Sequence, residues 1–242
     1  MDQDGERLRD GFRHRGRDIT RLEVFVDAAF AFAVTLLVIS IDAIPDSIDG
    51  LVQVLKGVPA FGVSLAMIAL FWNAHARWSR RYGLDDGATT VLSIALVFLV
   101  LVYVYPLKMM FGSFFGWISG GRLPYQLQIT GYADILTMFV IYGMAFITLS
   151  LCLLGLYLHA WRRREALALD AAERGATGGE IGIYLFFVLV GIVSVLAALA
   201  MPDRPPHWLA GAPGMLYFLM FFTGVAERAG RRIAAREQGQ PA

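Results

Sequence analysis

The chain has 242 residues, a formal net charge of +1, 57% of its residues from the apolar set and only 17% charged, with a mean hydropathy of +0.58. Soluble domains average about 45–50% apolar and about 25% charged; here the apolar excess falls in long blocks, which excludes disorder, fibrous repeats and a nucleic-acid-binding module. The single cysteine, Cys152, sits inside an apolar run and excludes a disulfide framework or a cysteine-based metal site.

The pattern is that of an all-α membrane protein. A helix needs roughly 20 apolar residues to cross a hydrocarbon core of about 30 Å. Six transmembrane helices are predicted, over about residues 20–43, 51–80, 87–111, 128–163, 180–201 and 208–231. Residues 1–19 form a basic N-terminal arm, 20–233 the transmembrane domain and 234–242 a tail. The arm carries no apolar h-region, so no cleavable signal peptide is expected. Beside a membrane span its charge sets topology and touches anionic lipid rather than nucleic acid.

The first span is the most informative. It is free of charge only from Ala28 to Ile41 and reaches spanning length by starting near Thr20, carrying Glu23 and Asp27 with it. Thr20 can cap the start and Glu23 suits the first turn, whereas an ionised Asp27 one turn further in needs a partner. At about 100° per residue, Ala28, Phe32, Thr35 and Ile39 fall within about a 60° wedge, and Asp27 shares another face with Val34, Val38 and Ile41. The helix therefore has two jobs: a stripe with one hydroxyl among bulky apolar groups, and a face that holds a charge against neighbours. The plainest account of the stripe is packing against another helix, with Thr35 bonding back to its own backbone, and periodicity alone favours it.

The second helix ends Phe71-Trp72-Asn73-Ala74-His75-Ala76-Arg77, at the depth of Arg21 and Asp27. Arg21 and His75 can pair with Asp27 and Trp72 can donate its indole N–H, a polar network that locks the two helices. No second His or carboxylate stands in a chelating arrangement, so no metal is expected.

The third helix ends in Tyr103, Tyr105, Pro106 and Lys108, residues suited to headgroup depth, with Lys108 snorkelling. Residues 112–132 form an outer loop with interfacial Trp117, Tyr125 and Tyr132, and 166–180 a charged inner linker; Trp161 and Trp208 also suit the interface. Alternate ends of the spans hold 17 and 4 of the 21 Lys and Arg residues, which puts both termini in the cytoplasm. A secondary transporter, the alternative reading, would want an inverted repeat and broken helices; Pro59 with Gly62 and Pro213 with Gly214 are the only candidates and do not sit in matching halves. An enzyme is not expected. Asp134 and His159 stand about 37 Å apart along the fourth helix at about 1.5 Å per residue, and Ser150 and Cys152 have no neighbouring base.

These residues resemble the transmembrane protein 175 family of potassium channels. That family opens its first helix with Arg-x-x-x-Phe-Ser-Asp and places Thr-Leu-Leu eight residues after the Asp. Here Arg21, Phe25, Val26 and Asp27 are followed by Thr35, Leu36 and Leu37, and Trp72 to His75 looks like the family's Trp-x-x-His. The resemblance implies a potassium-preferring cation channel with one six-helix repeat per chain, assembled as a homotetramer in the inner (plasma) membrane. Its partners would be potassium ions and lipid, with no cofactor and no metal beyond the permeating ion. The first helices would line the pore, with an apolar ring rather than a backbone-carbonyl filter at the constriction. On this resemblance Phe32 is the constriction, Leu36 and Ile39 are further apolar pore positions, and Thr35 lies beside them. Arg21, Phe25 and Asp27, with Trp72, Asn73 and His75, form the structural network. Two departures stand out: Val26 replaces the motif Ser, and Phe32 is bulkier than the usual Ile or Leu.

Overall fold

The computed structural model describes residues 7–39, 45–124, 127, 130–202, 206, 209 and 211–236. Residues 40–43 of the first predicted helix, the interfacial Tyr125 and Trp208, and most of the tail lie outside them. The described regular structure is helical: α1 (Arg21–Ile39), α2 (Ile48–Lys56), α3 (Val58–Tyr82), α4 (Gly87–Ile118), α5 (Tyr132–Arg162), α6 (Ala171–Leu199), α7 (Ala212–Met215), a 3₁₀ run (Leu216–Phe222) and α8 (Thr223–Arg236). Five of these, α1 and α3 to α6, are long and apolar enough to cross a membrane.

Several boundaries differ from the sequence expectation, each for a local reason. The second predicted helix is two, because α2 closes at Gly57 and Pro59 opens α3 in the first turn, where a missing N–H costs nothing. The third does not stop at residue 111 but runs to Ile118, so the first part of the predicted outer loop, Trp117 included, is helix. Pro106 lies inside α4, the Tyr142 hydroxyl donates to the Pro106 carbonyl, and Lys108 is buried rather than snorkelling. The predicted linker 166–180 is mostly helix: Asp170 accepts from the Glu173 N–H at 2.9 Å and Glu173 accepts from the Asp170 N–H at 3.0 Å, a capping box that starts α6 at Ala171. Charge that reads as a linker is a helix cap. The last predicted span is helical only in pieces, with seven residues of 3₁₀ between α7 and α8.

α1 lies against α3 and α4, α4 against α3 and α5, α5 against α6, and α6 against α8. At Gly182 an added Cβ would sit 2.4 Å from the Ala226 carbonyl oxygen, and at Gly230 2.0 Å from that of Gly178, so the α6 and α8 backbones touch as only small residues allow. The arginine-rich ends gather at one end of the bundle. There the Tyr82 and Thr177 hydroxyls meet at 2.8 Å and His159 Nε2 lies 2.8 Å from Asp86. Asp86 caps α4, and the Thr89 backbone N–H, helped by His159, holds its carboxyl down at about 2.

The predicted basic arm is a docked strap at residues 7–17. Phe12 is fully buried, edge-on to Tyr82 with centroids 5.7 Å apart, under the Arg81 guanidinium at 4.5 Å. Asp10 and Glu180 bind Arg81 at 2.8 and 2.9 Å, and Arg15 grips Glu173 with both guanidinium nitrogens at 2.8 and 2.7 Å.

Candidate functional site

α1 begins with the expected cap, elaborated. The Glu23 N–H donates to Thr20 Oγ1 at 3.2 Å and the Thr20 N–H to Glu23 Oε2 at 2.9 Å, while the second Glu23 oxygen accepts from the Ser79 hydroxyl of α3. One stripe of the helix, Val26, Phe30, Ala33 and Leu37, is buried in the bundle, and at about 100° per residue it spans about 60°. The opposite stripe is bare: Phe32 is 55% and Ile39 64% exposed, and Ala28 and Thr35 are exposed with them. Leu36, at the edge, is half-buried against the core. The stripe therefore does not pack against another helix among the described residues. The Thr35 hydroxyl does donate to its own Ala31 carbonyl at 3.1 Å.

Between the two stripes the Trp72 indole N–H donates to Asp27 Oδ1 at 2.7 Å. This pair closes one end of a shallow groove between α1 and α3, lined by Phe30, Ala31, Val34, Ile68 and Ala69. The other expected members of the network are not brought to it. His75 is buried and its Nε2 meets the Ser93 hydroxyl of α4 at 2.8 Å, while Arg21, Phe25 and Asn73 are exposed. Sequence reasoning missed Ser79 and Ser93 as partners; their signal is a hydroxyl on an otherwise apolar helix face. Val26, in place of the motif Ser, is wholly buried and adds packing where the family has a hydroxyl.

Asp134 is spent on the start of α5, accepting from Thr130 and Gly131, and His159 on Asp86 at the far end, so the two form no acid–base pair. Among the described residues no three His, Cys, Asp or Glu side chains cluster to hold a metal.

The sequence profile of the family described as "Endosomal/lysosomal potassium channel TMEM175" matches residues 21–106. A protein of Marivirga tractuosa named "Potassium channel" is 30% identical over 238 residues, covering 93% of this chain and 95% of its own length. Among solved structures, a threonine-to-alanine variant of the potassium channel MtTMEM175, in complex with a nanobody–MBP fusion, superimposes with a TM-score of 0.81 at 29% identity, over 96% of this chain and all of that one. A lysosomal potassium-selective channel TMEM175 homolog from Chamaesiphon minutus has a TM-score of 0.53 at 21% identity, over 86% of this chain and 96% of that one, and shares the fold. Family and relatives are channels, not enzymes. With the paired motifs on α1 and α3 and a relative matched along almost its whole length, the chain belongs to the TMEM175 family of potassium channels.

Proposed function

We propose that the chain forms a homotetrameric, potassium-preferring cation channel, with the α1 helices lining a central pore and Phe32 forming its apolar constriction. The two-faced α1 carries this reading: one stripe is sealed into the protomer while Phe32, Thr35 and Ile39 are bare on the opposite side, as a helix around a shared axis must be. The relatives named as potassium channels support the permeant ion. In this reading the segmented stretch 212–236 is the sixth crossing, and the positive-inside rule makes the strap's side cytoplasmic, with the protein in the inner (plasma) membrane.

A narrow apolar neck expels water, and an ion there lacks ligands, so conduction needs the neck to widen or the ion to keep part of its hydration shell. Thr35, about one turn beyond Phe32, supplies substitute oxygens. Its proton is spent on the Ala31 carbonyl, which leaves the oxygen lone pairs outward. A transporter would want helices broken within the membrane at matching positions of two halves; the break at Gly57 falls ahead of α3, whose first turn holds Pro59, so the spanning helix α3 is itself unbroken.

The test is flux through purified protein in liposomes. Potassium gradients are expected to drive electrodiffusive, non-saturating flux that exceeds sodium flux; a saturating flux coupled to a second ion overturns the channel. Asp27→Asn keeps an acceptor for Trp72 and loses the charge. It is expected to lower the yield of assembled protein, less than Asp27→Ala does, with reversal potentials unchanged. A normal yield with shifted reversal potentials would instead place Asp27 on the ion path.

A further inference from the structure

The acids at the basic end of the bundle are largely consumed inside the protein. Asp10 and Glu180 hold Arg81, Asp170 holds Arg7, Glu173 holds Arg15, Asp86 holds His159 and Arg163, and Glu227 holds Arg231. Several of the arginines left over are exposed, and three of these come together. The Gly16 N–H donates to the Arg80 carbonyl at 3.2 Å, and a Cβ on Gly16 would lie 2.7 Å from the Ser79 carbonyl oxygen, so the strap lies directly on the end of α3 and sets Arg17 beside Arg80. Glu23 binds Ser79, which brings the first turn of α1, with Arg21, to the same place. The guanidinium groups of Arg17, Arg21 and Arg80 have no ion pair or hydrogen bond among the described residues, and all three residues are exposed. Two carboxylates stand beside them, the exposed Asp18 and the Glu23 bonded to Ser79, and three arginines against two acids leave the cluster positive.

We infer that Arg17 and Arg80, with Arg21 alongside, form a binding site for the phosphate of an anionic phospholipid headgroup. The inference rests on α1 and α3 crossing the bilayer, which sets their shared end at headgroup depth, and not on what passes through the pore. Forked guanidinium groups suit phosphate oxygens, and each arginine near an anionic leaflet contributes about 1 kcal/mol of attraction. The Gly16–Arg80 and Glu23–Ser79 contacts hold the backbones of the site together before lipid arrives, and the free side chains close on the phosphate. The lipid would sit where the strap passes into α1, touching the same helix that carries Phe32.

The probe is phosphatidylglycerol, with phosphatidylcholine and inorganic phosphate as comparison arms, read by native mass spectrometry of retained lipid and by the thermal midpoint of the detergent-solubilised protein. Phosphatidylglycerol is expected to be retained and to raise the midpoint; phosphatidylcholine and inorganic phosphate are not. The double variant Arg17→Gln/Arg80→Gln, which loses no intrachain contact of either guanidinium and leaves Arg21 in place, is expected to bind phosphatidylglycerol at least about tenfold more weakly, the loss of one charge-assisted hydrogen bond or more. The control Arg162→Gln/Arg232→Gln removes the same charge from exposed positions elsewhere and is expected to keep the response. The inference fails if the first double variant binds as the parent does, if the control loses as much (diffuse attraction, no site), or if inorganic phosphate alone reproduces the shift (a free-anion site). None of these readouts depends on ion flux, so the channel reading and this one can fail separately.

Discussion

Replacing Phe32 by alanine is expected to raise single-channel potassium conductance several-fold and to move the potassium/sodium bi-ionic reversal potential toward zero. In the proposed tetramer four phenyl rings would face one axis and make a neck whose walls offer an ion no ligand, so the barrier there would be the cost of shedding hydration water. Cutting the side chain back to a methyl widens the neck, lets the ion keep its shell, and removes the step at which potassium and sodium differ. Phe32→Leu, closer to the usual occupant of this position, is expected to fall between. Over half of the Phe32 side chain is exposed in the protomer, so truncation leaves the buried stripe Val26, Phe30, Ala33 and Leu37 intact and the chain still folds. Planar-bilayer recordings of the purified protein decide the matter: unchanged conductance together with an unchanged reversal potential would remove Phe32 from the pore.

How far the molecule could be read from its residues depended on the range of the interaction. The long apolar runs of α4 and α5 were legible because hydrocarbon thickness is a constraint on a single segment. So was the Thr20–Glu23 cap, which closes over three residues. The stripe of Ala28, Phe32, Thr35 and Ile39 was visible as a stripe, but periodicity alone pointed to packing against another helix. Only the placement of Val26, Phe30, Ala33 and Leu37 in the bundle shows that α1 already has a buried side. The partner of His75 could not be read, because Ser93 is contributed by α4 across the bundle and Asp27 looked equally reachable. Trp72 found Asp27 as expected. The docking of the strap was the least legible. Charge density at Arg7 to Arg17 resembles a solvated arm, and nothing local reveals that Phe12 has a pocket beside Tyr82 or that Asp10, Glu173 and Glu180 lie ready for the arginines.

That strap sets up the second large effect. Glu173→Ala is expected to lower stability by about 3–5 kcal/mol, the cost of leaving a buried charge without its partner, which for a chain of this size corresponds to a fall of about 6–20 °C in the thermal midpoint. The carboxylate accepts four hydrogen bonds: two from Arg15, at 2.8 and 2.7 Å, one from the Arg13 N–H at 2.7 Å and one from the Asp170 N–H at 3.0 Å. Alanine strands all of them at once, removes the capping box of α6, and leaves Arg15, only 15% exposed, with the Leu167, Arg81 and Arg13 carbonyls as its remaining acceptors. Glu173→Gln keeps the shape and half the acceptor capacity, so its loss is expected to be smaller, since a neutral acceptor is weaker than a charged one. Because the strap is held chiefly through Arg15 and Phe12, its release should expose Arg13, Arg15 and Arg17 to trypsin well before the bundle is cut, and mass analysis of early fragments reads that directly. A thermal midpoint and a tryptic pattern both unchanged in Glu173→Ala would mean that the strap is held by Phe12 and Arg81 alone and that the Arg15–Glu173 pair adds nothing net.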